Sequence, residues 1–292
     1  MNPIVLAHGF FGFSDIIGIR YFRNVEKDLK ARFPGLTVLS PEVAPNDGIE
    51  LRAQQLWEQI DTLNQKVHII AHSMGGLDAR YMISPQGMNK AERVLSLTTL
   101  CTPHRGTPVA DAIIHASEIF SPEDIKHMIE KLPALYKIEK KIINALKAKG
   151  ELVQFLLEFF SIGEKGIKNL APAYLATFNK EIMDAPGVQY FSYAGVTGPG
   201  EQDYLPVLFF LPWAIIFKNK DTIIGGRNDG FVAVESAKWG TYKGELPADH
   251  FKISGHDMSA WGWLRKLLPW VKLFNHYAFY RELVAELIKV KL

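Results

Sequence analysis

The pentapeptide Ala71-His72-Ser73-Met74-Gly75 constrains this chain more than any other stretch. It lies between an apolar run, Val67 to Ala71, and a helix-like stretch, Gly75 to Met82. Small residues two before and two after a serine let a strand and a helix approach through a sharp, strained turn. That turn holds the serine Oγ clear of the backbone at the end of the strand. Glycine is the commoner residue at the first of these positions, and Ala71 is still small enough. An ordinary strand-to-helix turn could also carry a serine. The strand before and the helix after make Ser73 a candidate nucleophile.

The same alternation fills the first hundred residues. Ile4 to Ala7, Leu36 to Leu39, Val67 to Ala71 and Val94 to Leu100 read as buried strands. Tyr21 to Phe33, Ile49 to Leu63 and Gly75 to Met82 read as helices. Apolar runs alternating with helical patterns predict an α/β fold, a mainly parallel sheet flanked by helices on both faces. The pattern changes after Thr102, and no strand is predicted from Ala110 to Lys180. Helical stretches stand there instead, at Pro122 to Lys131, Ala134 to Lys149 and Leu152 to Phe160. The reading is a single domain over 1–292 with a helical lid or cap inserted at about 110–185. Strand-like runs return at Val188 to Ala194 and Thr222 to Ile224, and Arg281 to Ile288 reads as a final helix.

Composition excludes several classes. Lys and Arg number 33 against 31 Asp and Glu, a net charge of +2, which is no electrostatic footprint for nucleic acid. With 48% hydrophobic residues the chain is not disordered. Cys101 is the one cysteine, so no intrachain disulfide forms. The longest apolar run, Leu205 to Phe217, is broken by Pro206 and Pro212 and falls short of the roughly 20 residues a membrane span needs. The N-terminus lacks a basic region and a cleavage site, so the expectation is a cytoplasmic protein or one exported without a cleaved leader.

A serine nucleophile needs an oxyanion hole, a base and a carboxylate that orients the base. His8-Gly9-Phe10 follows the first strand. The backbone N–H groups of Phe10 and of Met74, after the serine, are the candidate oxyanion donors. Chain order in this architecture puts the acid and then the base after the insertion. Asp229, in the turn Arg227-Asn228-Asp229-Gly230, is favoured over Asp221, which lacks such a turn. His250, His256 and His276 remain as bases. His276 sits in an aromatic helical patch, and the residues alone leave His250 and His256 open.

These segments resemble the bacterial true lipases of the α/β-hydrolase fold, and look closest to the leaderless Proteus-type members of the Pseudomonas lipase group. The resemblance is carried by Pro3 to Phe10, Gly12-Phe13, Tyr21-Phe22, Gln55-Leu56-Trp57, His72-Ser73, Thr102-Pro103-His104-Arg105-Gly106, Val109-Ala110-Asp111, Asn228-Asp229-Gly230 and Asp249-His250-Phe251. It implies that His250 is the base and that the substrate is an ester of a medium or long acyl chain, as for a triacylglycerol lipase. It also implies a structural calcium held by a carboxylate two residues after the base. Lys252 stands at that position, and an ammonium cannot ligate a hard cation. The expectation is therefore no cofactor and a lost calcium site, although Asp257 still resembles a ligand.

The apolar insertion and the 205–217 run fit either a lid that opens at a lipid–water interface or ordinary core. A carboxylesterase or phospholipase would use the same triad, as would an acyltransferase. A non-enzymatic lipid-binding module would not need Ser73, Asp229 and a base. The expected partner is a lipid or ester substrate.

Overall fold

The computed structural model describes residues 1–10, 21–119, 164–203, 205–206, 209–256 and 274–289. Among the described residues six strands make one sheet: β1 (Ile4–Ala7), β2 (Val38–Leu39), β3 (Val67–His72), β4 (Val94–Leu100), β5 (Gln189–Gly195) and β6 (Thr241–Leu246). Their order is β2-β1-β3-β4-β5-β6, and every neighbouring pair is parallel. Parallel neighbours need long crossovers, and here these are helices. They are α1 (Val25–Arg32), α2 (Ile49–Asp61), α3 (Gly75–Ile83), α4 (Pro108–Ile119), α5 (Glu164–Asn169), α6 (Pro172–Glu181), α7 (Phe210–Lys218), α8 (Val234–Ala237), α9 (His250–Ile253) and α10 (His276–Leu287).

The continuous apolar runs of the sequence become strands buried on both faces. Every residue of β1, β3 and β4 is buried. Successive side chains point to opposite faces of the sheet. Val5, Ile69 and Leu97 pack against Leu56 and Ile60 of α2 and Met82 of α3. Ile4, Leu6, Ile70 and Leu100 pack on the other face against Leu29 of α1 and Leu283, Val284 and Leu287 of α10. A third cluster, containing Phe10, Met74, Val109, Ile167 and Leu175, lies where α4, α5 and α6 meet the residues after β1 and β3.

Several predicted elements shift. The helix expected from Tyr21 begins at Val25, because Phe22 and Asn24 adopt left-handed φ of 51° and 55° and form a turn. Thr222 to Ile224 is not a strand. Thr222 N–H donates to Asn219 O and Gly225 N–H to Thr222 O, a turn after α7. The apolar run before it contains a helix despite Pro212, which sits in the first turn of α7 where a proline removes no intrahelical bond. Strand β6, Thr-Tyr-Lys-Gly-Glu-Leu, was not predicted, since it is polar and carries a glycine. It pairs with β5 and ends the sheet as an exposed, lysine-bearing edge, which discourages pairing with other chains. The three helices predicted between 122 and 160 lie outside the described residues.

A buried ion pair ties two helices to the end of β1. Arg52 of α2 lies 2.7 Å from the Asp78 carboxylate of α3, with both side chains essentially unexposed. The same guanidinium donates to Ala44 O at 2.5 Å and to His8 O at 3.0 Å. Burial pushes the Asp78 carboxyl up to about 6, against the opposing pull of Arg52. Removing one partner leaves an uncompensated buried group, which costs roughly 3–5 kcal/mol. Arg52→Ala is expected to lose about that much stability in urea titration, and Arg52→Met with Asp78→Leu to recover part of it. A loss near zero for the single variant would contradict this role.

Candidate active site

Ser73 sits at the C-terminal end of β3 with φ of 55°, a left-handed conformation that costs a non-glycine residue about 1–2 kcal/mol. Neighbouring bonds hold it there. Its N–H donates to Leu100 O at 2.9 Å, and its carbonyl accepts the Thr102 hydroxyl at 2.7 Å. Two glycines permit the crowding. A Cβ on Gly75 would lie 2.6 Å from His8 O, and one on Gly9 would lie 2.5 Å from Ser73 Cβ. Gly9 is therefore needed for close approach between the first loop and the serine turn.

The candidate acid and the candidate base converge on this serine. His250 Nε2 is 3.0 Å from Ser73 Oγ, and its Nδ1 is 2.7 Å from Asp229 Oδ2. Asp229 is fully buried and its Oδ1 accepts the N–H groups of Phe231 and Val232 at 2.9 and 2.8 Å. The His250 N–H donates to Asp229 O at 2.9 Å, so the backbone as well as the side chain registers base against acid. Of the histidines that sequence reasoning left open, His250 is the one placed beside Ser73. His256 donates its N–H to Phe251 O behind the base, and His276 packs its ring against Tyr277. Asp221 lies exposed in the turn after α7.

The candidate oxyanion donors flank the serine. Met74 precedes α3 as its N-cap. Backbone N–H groups at a helix N-terminus have no intrahelical acceptor and carry partial positive charge. Phe10 follows Gly9 in the loop after β1 and lines the same cleft as Ser73 and His250. Gly12 and Phe13 lie outside the described residues.

Two neighbours were missed as parts of the site. Tyr21 places its hydroxyl 2.5 Å from His72 Nδ1. Burial, and then the proximity of His250, drives His72 well below the ordinary imidazole value, so a neutral ring shares this hydrogen bond with the tyrosine hydroxyl. Cys101, counted only for disulfides, lies against Asp229; burial and then that carboxylate push its thiol well above its usual value. Among the described residues, His72, Cys101 and His250 have candidate metal-ligand atoms within 4.8 Å of one another. His250 is already held on both nitrogens, so this cluster packs the triad. Cys101 carries no local motif, and Tyr21 belongs to the Tyr21-Phe22 resemblance, which attaches no role to it; only the fold brings them here.

Ser73 and His250 open into a cleft that is continuous with solvent. Its walls include Val109, Ile113, Ile167, Leu170, Phe231 and Phe251. An apolar wall beside a serine, a base and amide donors suits acyl transfer from an ester with a hydrocarbon tail.

The chain is similar to several known proteins. A family model described as a PGAP1-like alpha/beta domain matches residues 32–120. Triacylglycerol lipase 2 of Saccharomyces cerevisiae is 31% identical over 90% of this chain and 69% of its own length. A triacylglycerol lipase of Pseudomonas fragi is 28% identical over 94% of each chain. The solved structure of lipase 1 from Pelosinus fermentans superposes with a TM-score of 0.66, at 18% identity, over 100% of this chain and 99% of that one. At that identity the superposition supports the α/β-hydrolase fold.

Ser73→Ala is expected to lower kcat on the order of 10⁵-fold or more while leaving the melting temperature near that of the parent. His250→Ala should fall comparably, and His256→Ala should fall far less. Comparable losses in the two histidine variants would contradict the assignment of the base.

Proposed function

The chain belongs to the triacylglycerol lipase family, and we propose that it hydrolyses medium- to long-chain acyl esters through Ser73, His250 and Asp229. The observation that carries this reading is the Ser73–His250–Asp229 alignment at the mouth of an apolar cleft. His250 takes the proton from Ser73 Oγ as the serine attacks the ester carbonyl. Asp229 holds the imidazole tautomer and stabilises its charged form. The N–H groups of Phe10 and Met74 stabilise the developing oxyanion. The alcohol leaves with the proton from His250. Water, activated by the same base, then hydrolyses the acyl-enzyme.

The finer affinity is to the leaderless Proteus-type lipases, on the motif resemblance given above. The domain reading is a single hydrolase unit with a helical lid or cap inserted at about 110–185; Ile113 of α4 and Ile167 of α5 support it by standing in the cleft wall.

A lipid–water interface is the working surface we favour. Leu211, Phe217 and Ile223 are 52%, 45% and 53% exposed in and just after α7. Phe209, immediately before α7, stacks on Phe251 in the cleft wall. Lys218 and Lys220, both exposed, add positive charge beside this apolar face. No described helix is long and apolar enough to cross a membrane.

p-Nitrophenyl esters from acetate to palmitate test the substrate class, with Ser73→Ala as control. Turnover is expected to peak at medium to long chains, and a peak at acetate or butyrate would make the enzyme a carboxylesterase. Replacing Leu211, Phe217 and Ile223 together with serine should reduce hydrolysis of emulsified triacylglycerol and leave turnover of a soluble short ester unchanged. Equal loss on both substrates would contradict the surface reading.

A further inference from the structure

His250 meets Ser73 only if the short helix α9 is held still, and a buried charge cluster does this. Lys252 of α9 directs its ammonium at Asp203, with Nζ to Oδ1 at 2.5 Å. The same Nζ lies 3.3 Å from Asp249 Oδ2, an ionic contact without hydrogen-bond geometry. Asp249 caps α9 through its other oxygen, which accepts the N–H groups of Phe251 and Lys252. Asp203 closes the ring by accepting Asp249 N–H on Oδ2 at 2.9 Å. Asp203, Asp249 and Lys252 are 5%, 0% and 5% exposed. Charges buried this far are unfavourable unless paired and hydrogen-bonded; Lys252 pairs with both carboxylates, and burial still pushes the Asp249 carboxyl up to about 7 against the pull of Lys252.

We propose that the Lys252 ammonium is a built-in cation, clamping the Asp203 loop to the base helix where the family resemblance implies a divalent ion. The residues present do not fit calcium. That ion takes six to eight oxygens at about 2.3–2.6 Å. An ion bridging Asp203 Oδ1 and Asp249 Oδ2 would need the volume that Nζ fills, against a like charge. Asp257 lies outside the described residues.

The clamp acts through the backbone. Asp203 pins the N–H of Asp249, and Asp229 O pins the N–H of His250 one residue on. The segment that carries the base is thus fixed from two sides, and Lys252 neutralises the side that Asp203 supplies. Lys252 is a positioning residue, because it acts on the reaction only through His250.

The proposal rests on His250 as the base, so its test pairs turnover with a reading that needs no catalysis. Wild-type melting temperature and short-ester kcat are expected to be the same in excess EGTA and in excess calcium. Lys252→Met should lower kcat on the order of 10²-fold with KM changed much less, the signature of a displaced catalytic group. Lys252→Asp should lose melting temperature and kcat in EGTA and regain both with calcium. A wild-type enzyme that loses melting temperature in EGTA would overturn the proposal. So would an unaltered kcat in Lys252→Met, or a folded Lys252→Asp that calcium does not rescue. If the hydrolase reading itself fails, turnover is absent throughout, while the calcium response of the melting temperature still decides the clamp.

Discussion

The left-handed turn at Ser73 is the constraint on which the remaining architecture depends. A non-glycine residue holds φ near 55° only where its surroundings over-determine it. Here β4 supplies the Leu100 carbonyl for the Ser73 N–H, and Thr102 donates to the carbonyl on the other side. The glycines at 9 and 75 let the first loop close against the turn, where any Cβ would strike backbone or Ser73 itself. The strain is small beside the packing that maintains it. β3 is buried along its whole length between two helical layers.

The sheet then determines where chemistry can gather. All neighbouring strands run parallel, so their C-terminal ends lie together, and the segments leaving them are free to carry side chains. Segments after β1, β3, β5 and β6 bring Phe10, Ser73, Asp229 and His250 to one edge. Each arrives with its own support. Arg52 fixes the His8 carbonyl, two amides fix Asp229, and the Lys252 clamp fixes the helix of the base. Polar groups placed this rigidly need little rearrangement as charge develops, which is the physical basis of oxyanion and imidazolium stabilisation.

The parallel core was readable because its strands are short apolar runs and its helices have clear periodicity. β4 appears at the residues the sequence predicts, and β1 likewise. Ser73 stood out as a candidate from local sterics and Asp229 from its turn, and the fold brings the two to one histidine. The choice of His250 over His256 came from family resemblance, since the two differ only in what the fold sets opposite them. Strand β6 was hidden because this exposed edge strand is polar and carries a glycine, and the Thr222 turn looked like a strand because it is β-branched. Arg52 and Cys101 gave no signal, and Tyr21 stood only within the Tyr21-Phe22 resemblance, with no role attached. Each acts on a group distant in sequence, and no periodicity or spacing encodes such a contact. Lys252 was visible as a departure from the family pattern, but its pairing with Asp203 needed the fold.

The most direct test of the account is stoichiometric labelling with a p-nitrophenyl alkylphosphonate, read by intact mass and peptide mapping. Such a reagent needs an activated serine, a base and an oxyanion hole aligned together. The account predicts one adduct per chain, on Ser73, formed at a rate that collapses in His250→Ala although Ser73 is still present. Labelling at another residue, or labelling of Ser73 at an undiminished rate without His250, would contradict it.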